Sequence, residues 1–165
     1  MELYILRHAI AVERGTEGFA TDAERPLTPK GRKKMRRNAE GMVALGLSFD
    51  RIISSPFVRA RQTAEIVAEA FDLVKHLSIS QHLAVGGSET ELINEVNALG
   101  CDGIVLVGHE PYLGGLISVL LSGDQGISMT LKKGSLCKLT VDGLRHGKCA
   151  TLDWLLTPNQ LANIG

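Results

Sequence analysis

The sequence predicts an α/β protein with a mainly parallel central sheet. Three observations carry that prediction. Short apolar runs alternate with segments of helical spacing through most of the 165 residues. One run, GIVLVGH at 103–109, is apolar without a break, the mark of a strand covered on both faces. The length equals about one domain at roughly 150 residues each, and no linker or repeat divides it, so we expect one domain over 1–165.

Each element then has its own local reason. Residues 2–8, ELYILRH, form an apolar run ending at a charged pair, a buried strand. Residues 9–27 hold Gly15, Gly18, Thr21, Asp22 and Pro26 and predict a long loop, a feature that compact domains keep for function. Thr28-Pro29 starts a helix, with Thr as cap and Pro at the first helical position; it runs to Leu45, where Gly46 stops it. Residues 50–55 are the second strand. Pro56 opens the next helix, whose inward stripe is Val58, Ala60, Ala64, Val67, Ala68 and Phe71. Residues 76–83 alternate and predict a third strand. Ser88 and Glu91 make a capping-box pattern before a helix at 89–99. The 103–109 strand follows, then a helix opened by Pro111 and ending near Gly123. Segments 135–141 and 149–155 are close enough to form a hairpin, so one edge of the sheet is expected to be antiparallel. The tail from 157 to 165 predicts a short helix.

Composition removes several functions. Acidic and basic residues balance at net charge zero, so nothing draws the whole molecule to nucleic acid or anionic lipid. Seven aromatic rings leave little for a base-stacking surface. No apolar stretch reaches the roughly 18 residues that span a bilayer, and the start, MELYILRH, is not a signal peptide. Cys101, Cys137 and Cys149 are odd in number and form no CxxC pair, which argues against a disulfide framework or thiolate metal site and for a reducing cytoplasm. His76, His82 and His146 lack metal-ligand spacing, so no metal or other cofactor is expected. KGRKKMRR, at 30–37, places six basic residues in eight, read as a solvated helix face.

Chemistry-bearing residues recur at three strand ends. They are Arg7-His8, then Ser54-Ser55-Pro56 with Arg59, then Gly108-His109-Glu110-Pro111. In a parallel sheet these ends lie on one edge, where such folds bind ligands. An Arg-His pair at a strand end is, taken alone, two solvated side chains; three such segments in order are not. Two guanidiniums suit the three oxygens of a phosphoryl group. A neutral imidazole is a nucleophile toward phosphorus, and nearby arginines keep it neutral. A second imidazole can donate to a phosphoryl oxygen as charge shifts. The combination reads as phosphoryl transfer through a phosphohistidine, with no metal.

The wording LRHA, SSPFVRARQTAE and VGHEP resembles the histidine phosphatase superfamily. The short length and RPLTPKG at 25–31 are similar to its SixA-type phosphohistidine phosphatases. The resemblance spans the chain, with landmarks at 7, 25, 59 and 109, and implies the three-layer α/β/α, phosphoglycerate mutase-like fold. It implies that His8 is the nucleophile, that Arg7 and Arg59 bind phosphoryl oxygens, and that His109 stabilises the transition state. It places Arg25 at the pocket entrance and Ser55 within reach of the substrate, although a strand-end serine also caps the following helix. The implied substrate is phosphohistidine on a protein, such as a phosphotransfer domain in signalling, met by a shallow, open pocket.

Two departures from the family pattern stand out. Ala9 replaces the usual glycine after Arg-His, which matters if the backbone there needs positive φ. No carboxylate presents itself as general acid: Glu89 and Glu91 lie in the expected region, but Glu91 is accounted for by capping. A phosphohistidine can leave as neutral imidazole and asks less of an enzyme acid than an alkyl phosphoester does. Two alternatives remain beside this reading. One is a small-molecule phosphomonoesterase or mutase of the same superfamily. The other is a non-catalytic phosphate- or phosphoprotein-binding module.

Overall fold

In the computed structural model, which describes residues 1–164, β1 (Glu2–Arg7) lies inside the sheet, because its side chains are apolar on both faces. Leu3 and Ile5 enter one core, and Tyr4 and Leu6 the other. The same alternation divides β4 (Gly103–Gly108): Ile104 and Leu106 face one side, Val105 and Val107 the other. Helices cover both sides, making three layers. α1 (Pro29–Ala44), α2 (Val58–Ala70) and α5 (Pro158–Ala162) pack on the Tyr4 side. α3 (Glu89–Leu99) and α4 (Tyr112–Ser122) pack on the Leu3 side.

The sheet has six strands. With β2 (Arg51–Ser54), β3 (Leu77–Ile79), β5 (Leu136–Val141) and β6 (Ala150–Leu156), the order is β3-β2-β4-β1-β5-β6. The first four strands are parallel, and β5 and β6 pair antiparallel as the expected hairpin. Thr28 caps α1 through its side chain to the Gly31 N–H at 2.9 Å, and Gly46 ends that helix at φ 70°. Ser88 caps α3, and Gly123 closes α4 at φ 94°.

Three expectations need correction. The strand expected over 76–83 is only β3; single 3-10 turns, Val74–His76 and Gln81–Leu83, flank it. The chain leaves the sheet edge there because Leu83 is drawn fully into the core on the α3 side. The second helix begins at Val58, not Pro56. Pro111 precedes α4 as its cap residue. The loop over 9–27 contains one 3-10 turn, Asp22–Glu24, and an Ala11–Leu27 bridge. In the tail, α5 forms behind a Thr157–Gln160 capping box, and Gly165 lies outside the described residues.

Candidate active site

Strand order places β2, β4 and β1 side by side, so their carboxyl ends share one edge. The last bonds of that edge are His8 N–H to the Gly108 carbonyl, 3.0 Å, and Ser55 N–H to the Val107 carbonyl, 2.9 Å. The helix after β1 and the helix after β4 lie on opposite faces, which opens a crevice between the two strand ends. His8, Arg59 and His109 meet there, 6%, 3% and 2% exposed. The two imidazole centres stand 5.1 Å apart.

The bonding of His8 assigns its proton. Nδ1 lies 2.7 Å from the Ala9 carbonyl oxygen, which only accepts, so Nδ1 carries the hydrogen and Nε2 keeps its lone pair. Arg59 Nε–H donates to that Nε2 at 3.3 Å. Burial pushes the His8 pKa down to about 3; the positive charges of Arg59 and Arg7 add to this, and the Ala9 bond opposes it. Burial also pushes His109 down to about 4, aided by Arg59 and opposed by Asp22. Both rings are neutral at pH 7. The expected arginine effect is present, but loss of water is the larger cause.

Ser55 is fully buried and stands behind His109: its Oγ lies 2.7 Å from His109 Nε2. The same oxygen accepts the Phe57 N–H at 3.3 Å, which leaves it both a hydrogen and a second lone pair for Nε2. Nδ1 of His109 is buried with no protein partner. Ser55 thus caps the turn into α2 and orients His109. Arg7 NH1 donates to the Leu131 carbonyl at 2.6 Å, while its Nε is buried without a partner.

Arg59 and Arg25 share a residue that sequence reasoning passed over. Asp22 accepts from Arg59 through both its backbone oxygen, 2.6 Å, and its carboxylate, 3.0 Å. The carboxylate also takes Arg25 at 2.8 Å and Arg14 at 3.0 Å. Burial raises the Asp22 pKa, but Arg25 and Arg59 outweigh it and hold it down to about 2. Arg25 does not touch either histidine. With Arg14, Phe19, Asp22 and Phe57 it lines a cavity of about 610 Å³. The Asp22 turn sits on Arg59, and its backbone oxygen and carboxylate together offset the desolvation of the buried guanidinium. Its one sequence signal was its place three residues before Arg25, on one face of a 3-10 turn.

Thr63 was also passed over. Its Oγ1 accepts the Ala9 N–H at 3.0 Å and donates to the Arg59 carbonyl at 2.7 Å, tying the residue after His8 to α2. Ala9 has ordinary negative φ, since Asp72 is the only described non-glycine residue on the positive side. A methyl group is therefore tolerated where the family usually has glycine. Glu89 pairs with His146 at 3.2 Å, and Glu91 is exposed on α3; neither bonds to the two central histidines. Lys30, Lys33, Lys34, Arg36 and Arg37 are exposed along α1, the expected solvated face. Among the described residues no three His, Cys, Asp or Glu side chains cluster as a metal site, and no helix is long and apolar enough to cross a membrane.

The chain and its fold have known counterparts. Residues 3–84 match the family model for the histidine phosphatase superfamily (branch 1). An uncharacterized protein of Picosynechococcus sp. is 40% identical over 150 residues, 89% of this chain and 86% of that one. The chain belongs to the histidine phosphatase superfamily. Within this superfamily it is 27% identical over 164 residues to the phosphohistidine phosphatase SixA of Escherichia coli, covering 98% of this chain and 96% of SixA. A solved structure of the protein histidine phosphatase SixA with tungstate superposes with TM-score 0.82 at 27% identity, covering 98% of this chain and 99% of that chain. The phosphoglycerate mutase-like fold expected from the sequence is the fold observed.

Proposed function

We propose that this histidine phosphatase removes phosphate from phosphohistidine on another protein, such as a signalling phosphotransfer domain, through a covalent phospho-His8. The observation that carries the reading is the commitment of His8 Nδ1–H to the Ala9 carbonyl. It leaves a neutral Nε2 whose lone pair now accepts from Arg59 Nε–H and becomes the nucleophile when that guanidinium turns to the phosphoryl oxygens. Tungstate, a tetrahedral oxyanion, in the SixA structure supports an anion at the matching place.

The steps balance with the chain's own groups, and no metal takes part. His8 Nε2 forms a bond to phosphorus as the substrate's P–N bond breaks. The substrate ring takes a proton from water on its other nitrogen, so the electron pair of the broken bond leaves with a neutral imidazole. A second water then attacks phospho-His8, the P–Nε2 bond breaks with its electron pair returning to Nε2, and the water's protons go to the departing orthophosphate and to the hydroxide left by the first water. Arg7 and Arg59 bind the phosphoryl oxygens, and Arg59 exchanges Asp22 for them. With Ser55 donating to its Nε2, His109 keeps its proton on the unpartnered Nδ1 and donates it in a hydrogen bond to an oxygen as the charge there grows. Arg25 meets the substrate at the cavity mouth, and Ser55 holds His109. Neutral imidazole is a good leaving group, in keeping with Glu89 and Glu91 being engaged or exposed elsewhere. Three free cysteines favour a cytoplasmic setting, and all these parts belong to one domain.

A small phosphomonoester is the second reading, favoured by the depth at which His8, Arg59 and His109 lie. The binding-module reading had its support at Ala9, whose backbone is unstrained.

The test uses a labelled phosphohistidine protein, quenched during turnover with chelator present. An acid-labile, alkali-stable label is expected on His8 and is lost in His8→Ala. Turnover without such a label would overturn the covalent route. Equal kcat/KM for sugar phosphates and the phosphohistidine protein would favour the second reading.

A further inference from the structure

Glu110 follows His109 directly, yet it is absent from the steps above. It is partly buried, and each of its carboxylate oxygens accepts a backbone N–H. Oε2 takes Gly114, in the first turn of α4, at 2.9 Å. Oε1 takes Leu131 at 3.3 Å. Leu131 is fully buried in the segment between α4 and β5, which has no regular secondary structure near it. The carbonyl of that same Leu131 accepts Arg7 NH1 at 2.6 Å. One carboxylate therefore holds the peptide that holds the guanidinium, and Arg7 and Glu110 line one cavity together.

The arrangement has a physical logic. Arg7 leaves β1 at its last residue, beside Gly108 of β4. Nothing in the strand pairing dictates where a long, flexible side chain then points, and ordering it costs rotamer entropy. A carbonyl acceptor pinned in place offsets that cost and selects one orientation. The Leu131 amide is pinned only if its N–H has a partner, because an irregular buried segment cannot take one from a sheet or helix. A carboxylate serves this better than a neutral acceptor. It bonds two N–H groups at once, and its charge opposes the effect of burial on Arg7.

We infer that Glu110 is a positioning residue for phosphoryl binding: through Leu131 it sets the guanidinium of Arg7 so that Nε stays free for the anion. This deepens the proposed function and rests on its assignment of Arg7 to the phosphoryl oxygens. The experiment is a double-variant cycle on the full chain, reading the Kd for sodium tungstate and the KM and kcat for an aryl phosphate. Arg7→Ala is expected to weaken tungstate binding. Glu110→Ala is expected to weaken it by about tenfold, raising KM more than it lowers kcat. The Arg7→Ala/Glu110→Ala double variant is expected to bind no more weakly than Arg7→Ala alone. Should Glu110→Ala fail to fold, Glu110→Gln replaces it; the amide keeps one acceptor oxygen and is expected to lose less affinity. Wild-type tungstate binding in both Glu110 variants, with Arg7→Ala weakened, would overturn the inference while leaving the proposed function standing. Losses that multiply in the double variant would overturn it too. An unaltered Kd in Arg7→Ala would instead remove the reading of Arg7 on which it rests.

Discussion

Ser55 illustrates how single atoms decide chemistry in this protein. Its hydroxyl connects the Phe57 N–H to His109 Nε2, and so fixes the orientation of the ring. Ser55→Ala leaves the buried Nε2 of His109 and the part-buried Phe57 N–H without partners. The expected cost is about 1–3 kcal/mol in urea unfolding, with a drop in turnover as His109 loses the bond that orients it. Unchanged turnover would show that His109 needs no such support. The sequence marked Ser55 only as a residue near the pocket, since a strand-end serine has several local uses. Thr63 had even less of a signal: it falls four residues after Arg59 on the same helix face, but its partner, the Ala9 amide, is distant in sequence. Residue types at strand ends were legible, whereas their hydrogen-bond partners were not.

Elements follow mostly from short-range rules. Thr28-Pro29, Gly46, Ser88 and Gly123 begin and end helices as their chemistry dictates. Close approach between elements is less visible in sequence. A Cβ at Gly41 of α1 would lie 1.9 Å from the Leu161 carbonyl oxygen of α5. Gly41→Ala must push α5 off the layer, and we expect it to cost about 1–3 kcal/mol, read by urea unfolding against wild type. A wild-type midpoint would mean that α5 contributes nothing at that contact. The 76–83 segment misled for a related reason: its alternation suits a strand, but Leu83 is captured by the core beside α3. A two-residue period cannot distinguish an edge strand that continues from one that turns inward.

At the scale of the whole molecule, desolvation turns two histidines into a record of folding. Both ionise near 6.5 when unfolded, but near about 3 for His8 and about 4 for His109 when folded. Between those limits the unfolded chain binds more protons. Stability present above about pH 6.5 is therefore lost as pH falls toward 4, by up to roughly 1.4 kcal/mol per pH unit for each ring. Urea unfolding at about pH 7.5 and about pH 5 should show the loss, and His109→Gln should reduce its slope. A flat profile over that range would contradict the burial argument. Asp22 acts in a separate window: its contribution is full above its ordinary value of 3.8 and is lost as the pH falls from there to about 2. The alternating strands and helices, their caps, and the ordered Arg-His, Ser-Pro-Arg and His-Glu-Pro segments were determined by the sequence alone, because propensity and motif order act over a few residues. Only the tertiary structure decided that β4 lies between β1 and β2, that Asp22 covers Arg59, and that both imidazoles are neutral. Those facts depend on which distant segments become neighbours and on how much water that contact expels.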